Sequence, residues 1–233
     1  MTLLTQWNNR VYSENILLSM SNDLANKIED GFVGSMKGIA STIPGVSIVM
    51  SAINEMRTGI YRQRLEEWQR LVEERLSKLE NTVVNNLPQN GTFATVMLTS
   101  AQLSLKTDKI KSTLLANAVA NSATTDISEE RIVILLNCIE RYTLSHLRLL
   151  RFLQNPKEYN PKESMSMGSP MTIFNDYYPN RDRSLDNIVI KDLHADGLID
   201  TDSLNSTMTR DGCLSKRTTD LGDNMITFFG IEK

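Results

Sequence analysis

The chain has little of the side-chain chemistry on which most enzymes depend. Among its 233 residues there are only two histidines and two cysteines, and none lies in an HxxE, HExxH or paired-cysteine spacing. The glycine motifs of nucleotide-binding loops and the G-x-S-x-G motif of hydrolases are also missing. We therefore expect a protein that is not an enzyme, with no catalytic residue, no metal site and no cofactor.

We also expect no export signal. The first ten residues of the chain, MTLLTQWNNR, place polar side chains where a signal peptide needs an apolar core. Cys138 and Cys213 lie far apart, and Cys138 falls inside an apolar helical pattern, which favours a buried free thiol. Both observations predict a cytoplasmic protein in a reducing compartment.

The chain does not have the excess of positive charge that is typical of nucleic-acid binders. Its net charge is −3, and residues 1–155 are almost neutral, with 16 basic and 15 acidic residues. Residues 184–233 carry 5 basic against 9 acidic residues. The negative charge is thus concentrated in the C-terminal part of the chain, where it disfavours contact with a phosphate backbone.

Hydrophobic spacing predicts a mostly α protein, with a multi-helix body followed by a small winged-helix-like α+β module. We place the helical domain at 1–155 and the module at 184–233. Four prolines and a Met-Ser repeat predict a linker or irregular connection at 156–183. Its aromatic side chains, which we expect to pin it to a domain, are Phe174, Tyr177 and Tyr178.

Residues 61–83 give the clearest helical pattern. Apolar side chains recur every three or four residues and predict one buried face: Leu65, Trp68, Val72, Leu76, Leu79 and Val83. The opposite face alternates in charge at four-residue intervals, which supports the helix. This charged face is either a solvated surface or a partner-binding surface, and its candidate binding residues are Arg62, Glu66, Arg70 and Glu74.

A glycine-rich segment at 31–60 contains no charged residue between Lys37 and Glu55. One interpretation is a tightly packed helical hairpin broken at Pro44-Gly45. The other is a segment that inserts into a membrane only on activation, although the uncharged run is short for a spanning helix and Pro44 interrupts it. The candidate membrane-active residues are Ile43, Val46, Val49 and Ile53.

A further helix is predicted to begin at Asp126 as N-cap, with Glu129 completing a capping box, and to stop before Pro156. His146 lies on the apolar side of this pattern. No second histidine or carboxylate accompanies it at a useful sequence spacing. The pattern therefore favours a buried core histidine over a metal ligand or a general base.

The C-terminal segment combines a helix near 185–196, a strand-like Leu198-Ile199, a polar loop and a final helix capped by Thr219. This order resembles the back half of a winged-helix module. A winged helix that reads DNA needs a basic helix in the major groove, whereas this helix would present Asp186, Asp192 and Asp196. The basic candidates for partner binding in the module are Lys191, Arg210, Lys216 and Arg217. The charge favours docking of a protein over binding of DNA.

The chain as a whole resembles bacterial helical proteins of the abortive-infection alpha type, which are accessory proteins of phage defence. The resemblance is one of layout and is carried by STIPGVSIVMSAINEMRTGIYRQRLEEWQRLVEERLSKLE, ERYTLSHLRLLRFL and the tail DGLID…TTDLGDNMITFF. It implies a non-enzymatic effector that acts through a protein partner or self-association. The alternatives are a membrane-perturbing effector that uses the 31–60 hairpin and a DNA-binding transcriptional regulator.

Overall fold

The computed structural model describes residues 59–87, 90–159 and 167–232, and these residues are mostly helical. They form ten α-helices and one two-stranded antiparallel sheet. The chain divides into two compact units, Met1–Thr124 (unit 1) and Thr125–Lys233 (unit 2). The mostly α prediction is therefore confirmed. The division falls after Thr124, whereas the sequence pattern placed the end of the helical domain at 155.

Unit 1 contains four described helices. They are α1 (Gly59–Leu76), α2 (Asn81–Asn86), α3 (Gly91–Ser104) and α4 (Lys109–Ser122). Helices α1, α3 and α4 pack on one another. Asn90 and Asp108 start α3 and α4 by accepting a hydrogen bond from the backbone N–H three residues on, 2.9 Å in both cases.

The core of unit 1 is built around Trp68, which is fully buried. The predicted buried face of the first helix is confirmed at Leu65, Trp68, Val72 and Leu76. The predicted helix 61–83 is nevertheless broken after Leu76. Backbone N–H groups of Lys78 and Leu79 bond to carbonyls only three residues back, which tightens and ends the helix before α2 begins.

Unit 2 begins with α5 (Glu129–Arg141) and α6 (Leu144–Gln154), followed by a 3₁₀ turn (Pro156–Tyr159). Strand β1 (Met167–Gly168), helix α7 (Pro170–Tyr177) and a second 3₁₀ turn (Arg183–Leu185) come next. The remaining elements are α8 (Asp186–Ala195), β2 (Met208–Thr209), α9 (Arg210–Cys213) and α10 (Asp220–Phe229). Helix α6 packs against both α8 and α10, and β1 pairs with β2.

The single helix predicted from Asp126 is two helices in the structure. The N-cap of α5 is Ser128 rather than Asp126, so the predicted capping box is wrong. The chain then leaves the helical conformation at Tyr142 and Thr143, both of which have extended backbone angles. Thr143 becomes the N-cap of α6, and this break turns the start of α6 toward α8.

The predicted linker at 156–183 is built largely of ordered elements over its described residues. Ser169 caps α7 by accepting a hydrogen bond from Thr172 N–H at 3.2 Å. Pro170 lies in the first turn, where a backbone N–H has no partner within the helix, so the missing N–H of proline costs no hydrogen bond. Phe174 is buried and its ring lies 5.2 Å from that of Phe152 in α6. Phe174 thus anchors this segment to unit 2, which explains why its prolines do not mark a domain boundary.

Helix α10 lies in close contact with the residues that end α8. Gly197 has φ +72°, the left-handed conformation that ends a helix, and the Oγ1 hydroxyl of Thr219 donates to its carbonyl at 2.6 Å. Thr219 also caps α10 by accepting from Gly222 N–H. A Cβ on Gly222 would lie 2.1 Å from the carbonyl oxygen of Leu198. The glycine is therefore a packing requirement.

Both cysteines, Cys138 and Cys213, are free and buried. Burial raises the pKa of each thiol above its ordinary value. The prediction of a buried thiol at Cys138 is confirmed.

Candidate functional site

The break between α5 and α6 positions the one buried histidine of unit 2. The backbone N–H of Thr143 donates to Nδ1 of His146 at 3.2 Å, and the threonine hydroxyl lies 2.9 Å from the same nitrogen. Because Nδ1 accepts a backbone hydrogen bond, we assign the neutral tautomer with the proton on Nε2. The Nε2 atom lies 3.2 Å from Oδ2 of Asp192 in α8.

Tyr142 contacts Asp196 beside the contact between His146 and Asp192. The ring of Tyr142 stacks on that of His146, with centroids 4.7 Å apart and planes 8° from parallel. The Tyr142 hydroxyl donates to Oδ2 of Asp196 at 2.6 Å. Asp192 and Asp196 are four residues apart on α8 and therefore lie on the same side of the helix. We call Tyr142, His146, Asp192 and Asp196 the Tyr–His ladder.

The electrostatics of the ladder keep the Tyr142 hydroxyl protonated. Burial, together with the hydrogen bond to Asp196, raises the pKa of Tyr142 far above its ordinary value. The guanidinium of Arg141 donates to both oxygens of Asp196 at 2.9 Å, and this contact raises the pKa of Arg141. Both ring nitrogens of His146 and the tyrosine hydroxyl are thus engaged. The arrangement ties α8 to the α5–α6 junction.

Asp186, the third carboxylate of α8, also pairs with a residue of unit 2. Asp186 forms an ion pair with Arg181, whose side chain is only 6% exposed. The guanidinium of Arg181 lies 4.6 Å from the ring centroid of Phe174 and also bonds to Asn175. Asp186, Asp192 and Asp196 therefore each have a partner within unit 2, and the side chain of Asp192 is also 45% exposed.

The exposed side of α8 differs from the acidic surface expected from the sequence. Its exposed residues, together with one from the turn before the helix, are Leu185, Asn187, Ile188, Lys191, His194 and Ala195. We call these six residues the α8 outer face. The side chain of Asp192 lies at its edge and is 45% exposed. The prediction that this helix shows acidic side chains to a partner is wrong for Asp186 and Asp196, which are 19% and 20% exposed and pair with neighbouring elements. Asp192 contacts His146 and still keeps 45% of its side chain exposed.

The predicted binding residues are placed in different ways. Arg62, Glu66, Arg70 and Glu74 are exposed on α1, and Lys191 is exposed on α8. The three basic candidates near the tail serve contacts within unit 2 or are half-buried. Lys216 pairs with Asp223, and Arg217 donates to the carbonyl of Gly212 at 3.1 Å. Arg210 is half-buried at the start of α9.

The candidate membrane-active residues Ile43, Val46, Val49 and Ile53 lie outside the described residues. Within the described ranges, no helix has both the length and the apolar character required to cross a bilayer. Nor do three or more His, Cys, Asp or Glu side chains of those ranges converge into a group that could hold a metal ion.

Sequence reasoning missed the carboxylate partner of His146. Asp192 lies 46 residues away, so no local motif contains the pair. A signal was nevertheless available. Tyr142 and His146 are four residues apart, as are Asp192 and Asp196, and two pairs with the same spacing on segments that pack together can meet side by side.

Comparison with known proteins adds no relative: no family model, no curated protein and no solved structure matches the chain.

Proposed function

We propose that the protein is a non-enzymatic effector that acts by docking another protein on the α8 outer face of unit 2. The observation that carries this proposal is the arrangement of α8. Its three carboxylates are held by Arg181, His146 and the Tyr142–Arg141 pair, while Ile188 is 57% exposed. A large apolar side chain on a rigidly held helix is typical of the centre of a protein interface.

We further propose that unit 2 is winged-helix-like. Three features support this: α8 is followed by an antiparallel bridge between Ile199 and Thr218, the intervening chain returns to that bridge, and α10 follows at once. In a winged helix, the element in the position of α8 is the one that contacts the partner. The loop between the bridged residues contains β2 and α9, in the position where a winged helix has its wing.

The outer face favours a protein over DNA as the partner. A helix that reads the major groove depends on several basic and polar side chains, whereas Lys191 is the one cation of the outer face. Placing Ile188 against a phosphate backbone would desolvate charge without compensation. The resemblance to proteins of the abortive-infection alpha type is the reason for proposing bacterial phage defence as the setting.

The test compares three forms of the full chain purified from phage-infected and uninfected bacterial cells. They are the wild type, Ile188→Glu and Asn137→Glu. Asn137 is an exposed residue of α5, so the control adds the same charge to another helix of unit 2. We expect one protein partner to be recovered with the wild type and with Asn137→Glu, and to be lost with Ile188→Glu. Identical recovery with all three forms would refute docking on α8.

A gel-shift measurement across salt concentration separates this proposal from the transcriptional regulator. A protein that contacts several phosphates shows affinity that falls steeply with salt. We expect no salt-dependent shift with the wild-type chain. A steep slope that disappears in Lys191→Glu would favour the regulator instead.

A further inference from the structure

The ring of His146 makes contacts that depend on how many protons it carries. Its side chain is only 7% exposed. In the neutral tautomer, Nδ1 accepts a hydrogen bond from the backbone N–H of Thr143 at 3.2 Å, and Nε2 donates to Oδ2 of Asp192 at 3.2 Å. Thr143 is the N-cap of α6, so the first contact belongs to the start of that helix and the second joins α6 to α8.

A second proton on the ring would change these two contacts in opposite directions. It would bind to the Nδ1 lone pair that the backbone N–H of Thr143 uses, and that hydrogen bond would break. The Thr143 hydroxyl lies 2.9 Å from Nδ1 and can accept the new ring N–H. The ring would then be positive, and its contact with Asp192 would become an ion pair. One proton thus exchanges a contact at the start of α6 for a stronger one between α6 and α8.

Among the described residues, the charged groups near the ring leave Asp192 as its main electrostatic partner. Asp196 lies one turn further along α8, and its charge is offset by Arg141, which donates to both of its oxygens at 2.9 Å. Tyr142 stacks on the ring, but burial and the bond to Asp196 raise the pKa of its hydroxyl, which stays neutral. Helix α10 also packs on α6, and its Asp223 contacts the other end of α6.

From this geometry we propose that the α5–α6 junction is a proton-operated switch, in which His146 takes up one proton, releases the backbone N–H of Thr143 and pairs with Asp192. An imidazole ordinarily changes its charge between about pH 5 and 8. Burial and the Thr143 hydrogen bond favour the neutral ring, whereas Asp192 favours the charged one. Because these effects oppose each other, we expect the exchange to fall within that range of pH.

The exchange changes the charge beside the α8 outer face. Asp192 lies at the edge of this face with 45% of its side chain exposed. With a neutral ring the His146–Asp192 pair carries one negative charge, and with a charged ring it carries none. The switch therefore makes the electrostatic field at this face depend on pH. It does not require that a protein docks there, so it is tested separately from the proposed function.

Nuclear magnetic resonance of the full chain tests the switch at the atoms involved. His146 and the exposed His194 are the only histidines of the sequence, so His194→Gln leaves a single imidazole to observe. Ring ¹⁵N signals report which nitrogen carries a proton, and the backbone amide signal of Thr143 reports its hydrogen bond. From about pH 8 to about pH 5, we expect the ring to change from the Nε2-protonated tautomer to the doubly protonated form. The Thr143 amide proton should move upfield with the same midpoint, because it loses its acceptor.

Asp192→Asn, made in the same His194→Gln background, tests the ion pair. Asparagine keeps an oxygen that can accept from Nε2 but removes the charge, so the midpoint of the ring should fall by about 0.5–1 pH unit. The control is Asp202→Asn, which removes an exposed carboxylate elsewhere in unit 2 and should leave the midpoint unchanged. Far-ultraviolet circular dichroism of each variant checks that the helices are intact.

Three results in the His194→Gln chain would each overturn the switch. They are a ring that stays neutral down to about pH 5, a proton on Nδ1 rather than Nε2 in the neutral form, and a Thr143 amide signal that does not follow the ring. An equal fall of the midpoint in Asp192→Asn and Asp202→Asn would overturn the ion pair, because it would show a general effect of charge. None of these measurements involves a binding partner, so they decide the switch without deciding whether a protein docks on the α8 outer face.

Discussion

Two ion pairs of unit 1 join residues four apart in the chain, whereas the pairs that hold Asp192 and Asp196 in unit 2 join different helices. Arg62–Glu66 lies on the exposed side of α1, and Glu74–Lys78 joins the last turn of α1 to the turn that follows it. In unit 2, Arg141 reaches a carboxylate 55 residues further along the chain. Local pairs support a helix that packing already holds, while the long-range pairs determine which side of α8 faces outward.

The largest effect should come from the close contact that ends unit 2. In Gly222→Ala, the added Cβ would meet the backbone oxygen of Leu198, which cannot move away as a side chain could. We expect a loss of about 3 kcal/mol in the free energy of unfolding, measured by urea denaturation.

The matched control for this change is Gly91→Ala in unit 1. A Cβ at Gly91, the first residue of α3, would meet no atom within 4 Å. The substitution should leave stability unchanged or raise it slightly, because alanine loses less backbone entropy in a helix than glycine. Equal destabilisation by the two substitutions would contradict the packing role of Gly222.

Asp196→Asn tests the ladder itself. The substitution removes the charge that faces Arg141 and weakens the acceptor for the Tyr142 hydroxyl. Because hydrogen bonds to a charged group are stronger than neutral ones, we expect a loss of about 1–2 kcal/mol in the free energy of unfolding. Thermal denaturation of Asp196→Asn and Tyr142→Phe would show whether the aromatic partner accounts for part of that loss.

A smaller effect should depend on pH. Burial alone would raise the pKa of Asp223, but hydrogen bonds from Lys216 and Thr218 outweigh it and hold the pKa below its ordinary value. A depressed folded-state pKa stabilises the fold above the unfolded-state pKa, and that contribution is lost as the pH falls through the folded-state value. The stability advantage of the wild type over Asp223→Asn should therefore shrink below about pH 4. Urea midpoints at a series of pH values measure it.

The smallest effect should be that of Glu66→Gln on α1. Both side chains of the Arg62–Glu66 pair are 48% exposed, so solvent screens their interaction. We expect Glu66→Gln to lower the free energy of unfolding by a few tenths of a kcal/mol. Because salt screens the ion pair, this difference from the wild type should disappear in about 0.5 M salt. A loss as large as that of Asp196→Asn would show that the local and the long-range pairs contribute alike to stability.

The sequence predicts the helices well where their signals are local. The buried face of α1, the end of α8 at Gly197 and the Thr219 cap of α10 all follow from residues within one or two turns. The break at Tyr142–Thr143 was missed because the apolar spacing continues across it at Ile139, His146 and Leu150. No hydrophobic pattern records that a threonine there can cap a new helix.

The candidate site was harder to predict for a different reason. Counting charges on α8 predicted an acidic face, but the direction of each carboxylate depends on which helices meet it. Arg181 and His146, the partners of Asp186 and Asp192, lie on other elements of unit 2. Only the three-dimensional arrangement shows that each of these carboxylates contacts a residue of unit 2 and that Lys191 is exposed to solvent.

The burial of Cys138 and Cys213 has a practical consequence for chemical labelling. Thiol reagents attack the deprotonated form, and in both residues burial limits access and disfavours that form. Since the chain contains no other cysteine, a cysteine introduced on the α8 outer face, for example Lys191→Cys, would react much faster than the native pair. A fluorophore or spin label could thus be attached at one chosen position of the native chain without first removing its own thiols.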